Sequence, residues 1–121
     1  MKRFAGMVFA VLAASSTPCW ADTAKQFLQL YYSEDGQGQD LAVVKIVSME
    51  AGVHQVNEYL KAHNQAPIYC QPQQLVLTGP QLADMIHRAA EEKDSKVKEM
   101  TVSASLLFVL QRTFPCPAEA H

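Results

Sequence analysis

Residues that build metal centres, redox sites and phosphate loops are scarce in this 121-residue sequence. It has three cysteines, one tryptophan and five glycines, and the glycines form no phosphate-binding motif. No cysteine pair has the CxxC spacing of a zinc or redox site. Only 18% of the residues are charged, with a net charge of -2, and this mildly acidic balance argues against nucleic acid as a partner.

The first 21 residues have the layout of a secretory signal peptide. Lys2 and Arg3 precede an apolar segment from Phe4 to Ala14, and small and turn-forming residues follow up to Ala21. The apolar segment is too short to span a bilayer as a stable helix. We therefore expect cleavage after Ala21, export to the periplasm, and a soluble mature chain that folds as one small domain over residues 22–121.

Cysteine usage follows from this processing. Cys19 falls within the segment to be removed, and Pro18 stands where a lipid-anchored protein would need a small residue. Cys70 and Cys116 remain, and in an oxidising compartment their simplest use is one disulfide. A metal pair lacks the usual spacing, and a catalytic thiol would need a base that the sequence does not locate. A bond between the two would close a loop of about 45 residues, worth roughly 4 kcal/mol in the chain-entropy model.

Apolar periodicity and end signals predict an all-α domain of about four helices, because no segment alternates convincingly with period two. The predicted helices run from Thr23 to about Ser33, from about Asp40 to His63, from Pro80 onward, and from about Val97 to Thr113. Gly36 and Gly38 are expected to break the chain between the first two. A strand is the alternative for the "LLFVL" run, but its length and the flanking Ala and Leu favour a helix.

Two features of the predicted second and third helices concern packing and connection. Gly52 lies inside the second helix at a cost of roughly 1 kcal/mol relative to alanine. A tolerated glycine is one explanation, and close approach by another helix is the one that we favour. The first half of that helix, with its additional valines, should be the more buried. The stretch "NQAPIYCQPQQLVLTG" that follows is long for a connection in a small domain, and such connections are usually functional or pinned. Cys70 lies in its middle.

Few residues combine into a pattern that carries chemistry. Two His/Glu pairs have a helical spacing of four, but neither forms an HExxH zinc motif, and solvated neighbours explain them more simply. Two serines on the last helix lack a nucleophile elbow and are better explained by close helix packing. These residues are His54 with Glu58, His87 with Glu91, and Ser103 with Ser105. We expect no metal, no cofactor and no enzymatic activity.

Three stretches in order carry a resemblance to a known family. "EAGVHQVNEYLKAH", "IYCQPQQLVLTGPQLADMIHRAAEE" and "VSASLLFVLQRTFPCP" resemble the layout of the Rap/Tai family of type VI secretion immunity proteins. The similarity covers roughly Val47 to Pro117, and its most specific element is the ordered pair "YCQP" and "FPCP". Many relatives carry further cysteines near the positions of Tyr31 and Val47. This chain lacks them, which leaves its subfamily and its particular toxin open.

The resemblance implies an all-helical periplasmic protein that binds and blocks a peptidoglycan amidase delivered by neighbouring cells. It also implies a homodimer in many members and a loop that enters the amidase cleft. Carried over by position, Cys70 and Cys116 match the family's cysteine pair, Gly52 its helix glycine, and Phe114 and Pro115 its closing motif. All five are scaffold positions.

The contact surface for such a partner is a separate hypothesis. We expect it in residues 65–78 and 33–40, carried by three glutamines and two acidic residues: Gln71, Gln73, Gln74, Glu34 and Asp35. A rigid loop whose ordering cost is met before binding suits an inhibitor. The competing interpretations are a periplasmic acid-resistance chaperone, which exposes apolar surface at low pH, and another secreted helical module with a different protein partner.

Overall fold

The computed structural model describes residues 22–118, and within them the chain is all-helical, with four α-helices and no strand. The α-helices are α1 (Ala24–Tyr31), α2 (Gly36–Ala62), α3 (Gly79–Glu91) and α4 (Val102–Thr113), and a short 3-10 turn (Val97–Glu99) lies before α4. This confirms the predicted fold class. The proposed signal peptide lies outside the described residues.

Helix starts are fixed by short polar side chains. Thr23 and Thr78 each form a capping box, in which the threonine hydroxyl accepts from a backbone N–H three residues on and a glutamine side chain returns the bond. Thr101 caps α4 by accepting from the Ala104 N–H. Each cap satisfies N–H groups that have no partner inside the helix and so stabilises the helix start.

One core joins all four helices. Phe27, Ile46, Ile86 and Leu106, one from each helix in chain order, are at most 2% exposed. Tyr69 of the connection between α2 and α3 joins them and is completely buried. The connection therefore contributes a large side chain to the same core as the helices.

An isolated antiparallel bridge between Thr23 and Thr101 ties the start of α1 to the start of α4. The Ala24 N–H donates to the Met100 carbonyl at 2.8 Å, and the Val102 N–H donates to the Asp22 carbonyl at 3.0 Å. The predicted start of the last helix at Val97 is wrong for this reason. Met100 and Thr101 are extended at the bridge, so Val97–Glu99 forms a separate turn with Val97 buried.

The predicted break at Gly36 and Gly38 is also wrong, because both glycines lie inside α2. Asp35 caps this helix by accepting from the Gln37 N–H at 3.1 Å, so the chain reverses over residues 32–35 alone. A Cβ on Gly38 would lie 3.0 Å from both Leu30 Cδ1 and Ser33 Oγ. Glycine is needed there for close approach to α1, and the helix continues through it.

Close approach by another helix at Gly52 is a further expectation that the structure contradicts. A Cβ built on Gly52 would meet nothing within 4 Å, whereas one built on Gly79 would lie 2.7 Å from Val43 Cγ1. Gly79 begins α3 against the side of α2, so it is the position where two helices need a missing side chain. The first half of α2 does bury Gly38, Ala42 and Ile46, but Leu41 and Val44 are 60% and 64% exposed.

Candidate protein-binding site on the long connection

Residues 63–78, called here the connection, join α2 to α3 and contain the three glutamines predicted to bind a partner. The chain leaves α2 through Asn64, whose φ of 55° lies in the left-handed region that asparagine tolerates. The Gln65 N–H donates back to the Leu60 carbonyl at 2.9 Å and closes the helix. The connection then runs across the inward side of α2.

Asn57 fixes the first part of the connection to α2. Its side chain is 1% exposed, and its Nδ2 donates to the Tyr69 carbonyl at 2.8 Å. Its Oδ1 accepts from the Ile68 N–H at 2.6 Å and from the Tyr69 N–H at 3.4 Å. One buried amide therefore satisfies three backbone groups of a segment that has no regular secondary structure.

The cysteine pair fixes the next residue to the end of α4. Cys70 and Cys116 form a disulfide with 4.9 Å between their Cα atoms, which confirms the predicted bond. The Cys70 N–H also donates to the carbonyl of Phe114 at 2.8 Å. Phe114 caps α4 and packs partly buried against the core, and the exposed Pro115 follows it, so both scaffold residues lie at this junction.

Beyond Cys70 the connection forms a projecting turn, residues 71–76. The Leu75 N–H donates to the Pro72 carbonyl at 3.0 Å, and Gln71 Nε2 donates to the Leu75 carbonyl at 2.6 Å. Gln73 and Gln74 point to solvent, and Val76 is 81% exposed. A turn braced from within, with two amides and an aliphatic side chain at its surface, is suited to contact with another protein.

The two predicted contact segments do not come together. Glu34 and Asp35 are exposed at the start of α2, where Asp35 is a helix cap, while the projecting turn lies beside residues 50–55 of the same helix. Glu50 lies fifteen positions after Asp35, which corresponds to about 22 Å along the helix axis. A partner that contacts both segments must therefore span about half of α2.

The glutamate of each His/Glu pair forms an ion pair with a lysine. Glu58 accepts a hydrogen bond from Lys61, and Glu91 accepts one from Lys98. These bonds lower the pKa of both carboxyls, with a smaller contribution from the neighbouring histidine in each case. Residues 22–118 contain no group of three potential metal-ligating side chains close enough to hold an ion.

Asn57 is the residue that sequence reasoning missed. It is a poor helix former in the middle of a helix, at a position that faces inward beside Val53 and Leu60. Such a residue signals a buried polar contact, but its partner is the backbone of a loop 11 to 12 residues away. A backbone partner has no sequence signature, so only the structure identifies it.

No protein-family model, no curated protein and no solved structure matches this chain. Among the helices of residues 22–118, none combines the length and apolar composition needed to cross a membrane.

Proposed function

We propose that this protein is a periplasmic immunity protein that binds and inhibits a type VI secretion peptidoglycan amidase. The observation that carries the proposal is the projecting turn, residues 71–76, held at its base by Asn57 and by the disulfide. The ordered stretches that resemble the Rap/Tai family support the choice of partner class. The first 21 residues, as a cleaved signal peptide, would place the protein where that amidase acts.

A turn that is ordered before binding lowers the free-energy cost of forming a complex. Immobilising a flexible side chain at an interface costs about 0.5–1.5 kcal/mol, and ordering a loop costs more. Here the base of the turn is already held by a buried tyrosine, a buried asparagine and a covalent bond. A partner therefore meets a surface whose conformation is set before binding, which favours tight inhibition.

The test begins with the oxidised protein as bait against proteins secreted by its own species, followed by a peptidoglycan hydrolysis assay on whatever is retained. We expect recovery of an amidase whose activity falls when the protein is added. Recovery of nothing that cleaves peptidoglycan would overturn the proposal.

Surface variants then test the turn itself. Gln73→Lys with Gln74→Lys should weaken inhibition without lowering thermal stability, because both side chains are exposed. Gln71→Lys is a poor variant, since Gln71 braces the turn through the Leu75 carbonyl. At the other segment, Glu34→Gln with Asp35→Asn removes both charges and keeps a residue that can cap α2. Unchanged inhibition by the first pair would exclude the turn as the contact.

A second candidate function, an acid-activated chaperone, is favoured by a different observation. The outward side of α2 exposes Leu41, Val44, Val56 and Tyr59, each more than 50% exposed. Exposed apolar surface can hold unfolded clients. A chaperone should suppress aggregation of unrelated proteins at acid pH, whereas an immunity protein should bind one enzyme at neutral pH.

A further inference from the structure

A groove of about 250 Å³ lies between α2 and the projecting turn. One wall is formed by Glu50 and His54 of α2, and the other by Gln71, Gln73 and the aliphatic side chains that follow, Leu75 and Val76. The groove therefore has polar acceptors on both walls and an apolar section at the turn. No lysine or arginine lines it.

Glu50 carries the negative charge of the groove, and the residue is partly buried. Within residues 22–118, no lysine, arginine or histidine nitrogen lies within ion-pairing distance of it. Other carboxylates of α2 and α3 do meet a cation within the chain, as Glu58 does with Lys61. A carboxylate that has no cation of its own chain is free to form a charge-assisted hydrogen bond with a cationic ligand.

Gln71 supplies a second acceptor without a donor. Its Nε2 is engaged by the Leu75 carbonyl, which fixes the orientation of the amide. The opposite atom, Oε1, is buried and has no hydrogen-bond partner among the described residues. Because the turn is held by the disulfide and by Asn57, the backbone cannot move freely to supply a donor. Because this oxygen is covered, a ligand N–H group can satisfy it only by displacing the exposed side chains of the turn.

The remaining features of the groove fit the rest of a basic side chain. Leu75 and Val76 offer apolar surface for an aliphatic stem, as the methylenes of lysine and arginine bury along such surface while the charged group stays polar. Gln73 also lines the groove, and its exposed side-chain amide can turn to offer a further acceptor. Charge, acceptor supply and apolar contact therefore all indicate the same chemical group.

We propose that this groove binds the side chain of an arginine or lysine presented by the partner protein. The inference rests on the proposed function in one respect only, that the protein acts by binding another protein. Glu50 pairs with the cationic group, Gln71 and Gln73 accept its N–H groups, and the turn covers its stem.

The experiment is a heteronuclear NMR titration of the oxidised protein with N-acetyl-arginine amide as the probe. Its matched control is N-acetyl-citrulline amide, which has nearly the same shape and no charge. We expect saturable shifts at the side-chain amide of Gln71 and at the backbone amides of residue 71 and residues 73–77 with the arginine probe, and much smaller shifts with citrulline. Glu50→Gln should weaken binding about threefold or more, since it removes the charge and keeps the shape.

Glu58→Gln is the matched control variant, because Glu58 lies on the same helix outside the groove lining and is paired with Lys61. It should bind the arginine probe as the parent protein does. Equal shifts with citrulline, no saturable shift, or an unchanged affinity in Glu50→Gln would each overturn the proposal. The titration uses no amidase, so its failure is distinct from failure of the pull-down, which concerns the proposed function alone.

Discussion

The buried side chain of Asn57 on α2 holds the backbone of Tyr69 in the connection from both sides, donating to its carbonyl at 2.8 Å and accepting from its N–H at 3.4 Å. This contact inserts the Tyr69 ring into the core shared by all four helices. The next residue, Cys70, is bonded to the end of α4. The position of the projecting turn thus depends on a polar contact and a covalent bond in adjacent residues.

Asn57→Ala should lower the free energy of unfolding by about 2–3 kcal/mol, because it leaves buried backbone groups of residues 68 and 69 without partners. Urea denaturation followed by circular dichroism measures the change. Gln55→Ala is the control, since Gln55 is exposed on the same helix. Equal stability of the two variants would mean that Asn57 does not hold the connection.

Gly52 and Gly79 should respond in opposite directions to substitution by alanine. Gly52→Ala should stabilise the protein by about 0.5–1 kcal/mol, because its Cβ meets open space and alanine is the better helix former. Gly79→Ala should destabilise it by about 1–3 kcal/mol, because its Cβ would lie 2.7 Å from Val43 Cγ1.

Thermal melts of both variants measure the difference. Val43→Ala removes the methyl group that the new Cβ would contact. Gly79→Ala should therefore cost less stability in a protein that already carries Val43→Ala than in the parent protein. A Gly79→Ala variant as stable as the parent would show that α2 and α3 separate without cost.

Loss of the disulfide should destabilise the whole domain. Cys70 and Cys116 are 46 residues apart, and replacing both with alanine should cost about 4 kcal/mol in the chain-entropy model. The segment around Tyr69 should nevertheless stay docked in the molecules that remain folded, since Asn57 still holds it.

Amide hydrogen exchange distinguishes the two contributions. In the variant without the disulfide, the Ile68 and Tyr69 amides should lose as much protection as the helix amides lose, and no more. If these two amides lost protection while the helices kept theirs, the disulfide alone would be responsible for docking the connection.

Tyr69 gives the protein a sensitivity to alkaline pH. Burial raises the pKa of its hydroxyl, and the nearby charges of Glu50 and Glu58 raise it further. The folded-state pKa of Tyr69 exceeds the unfolded-state value of about 10. The stability that the neutral hydroxyl contributes is therefore intact below the unfolded-state pKa and is lost as pH rises through the folded-state pKa.

Tyr69→Phe should therefore lose less stability than the parent protein when the pH rises above about 10. At neutral pH the substitution should cost little, because the hydroxyl has no hydrogen-bond partner among the described residues. Urea denaturation at neutral and alkaline pH measures both effects, with Tyr59→Phe as the exposed control. A large loss of stability for Tyr69→Phe at neutral pH would contradict this account of the hydroxyl.

Local signals in the sequence predicted the elements that depend on neighbouring residues. The start of α1 next to Thr23, the start of α3 next to Pro80 and the end of α4 at Thr113 agree with the predicted bounds, because end signals and spacings of three and four residues are local. The disulfide was predicted by counting, because only one pair of cysteines would remain if the first 21 residues were removed. Compartment and partner stay predictions, since both rest on the leader layout and on a resemblance.

The sequence by itself determined a small all-helical domain with one covalent link and a long connection. The tertiary structure decided which glycine permits a helix contact, where α2 and α4 begin, and what holds the connection. Positions 52 and 79 are both glycine, but a Cβ would meet open space at 52 and Val43 at 79. Likewise the partners of Asn57 are backbone atoms, which every residue possesses, so only folding brings particular ones within hydrogen-bond distance.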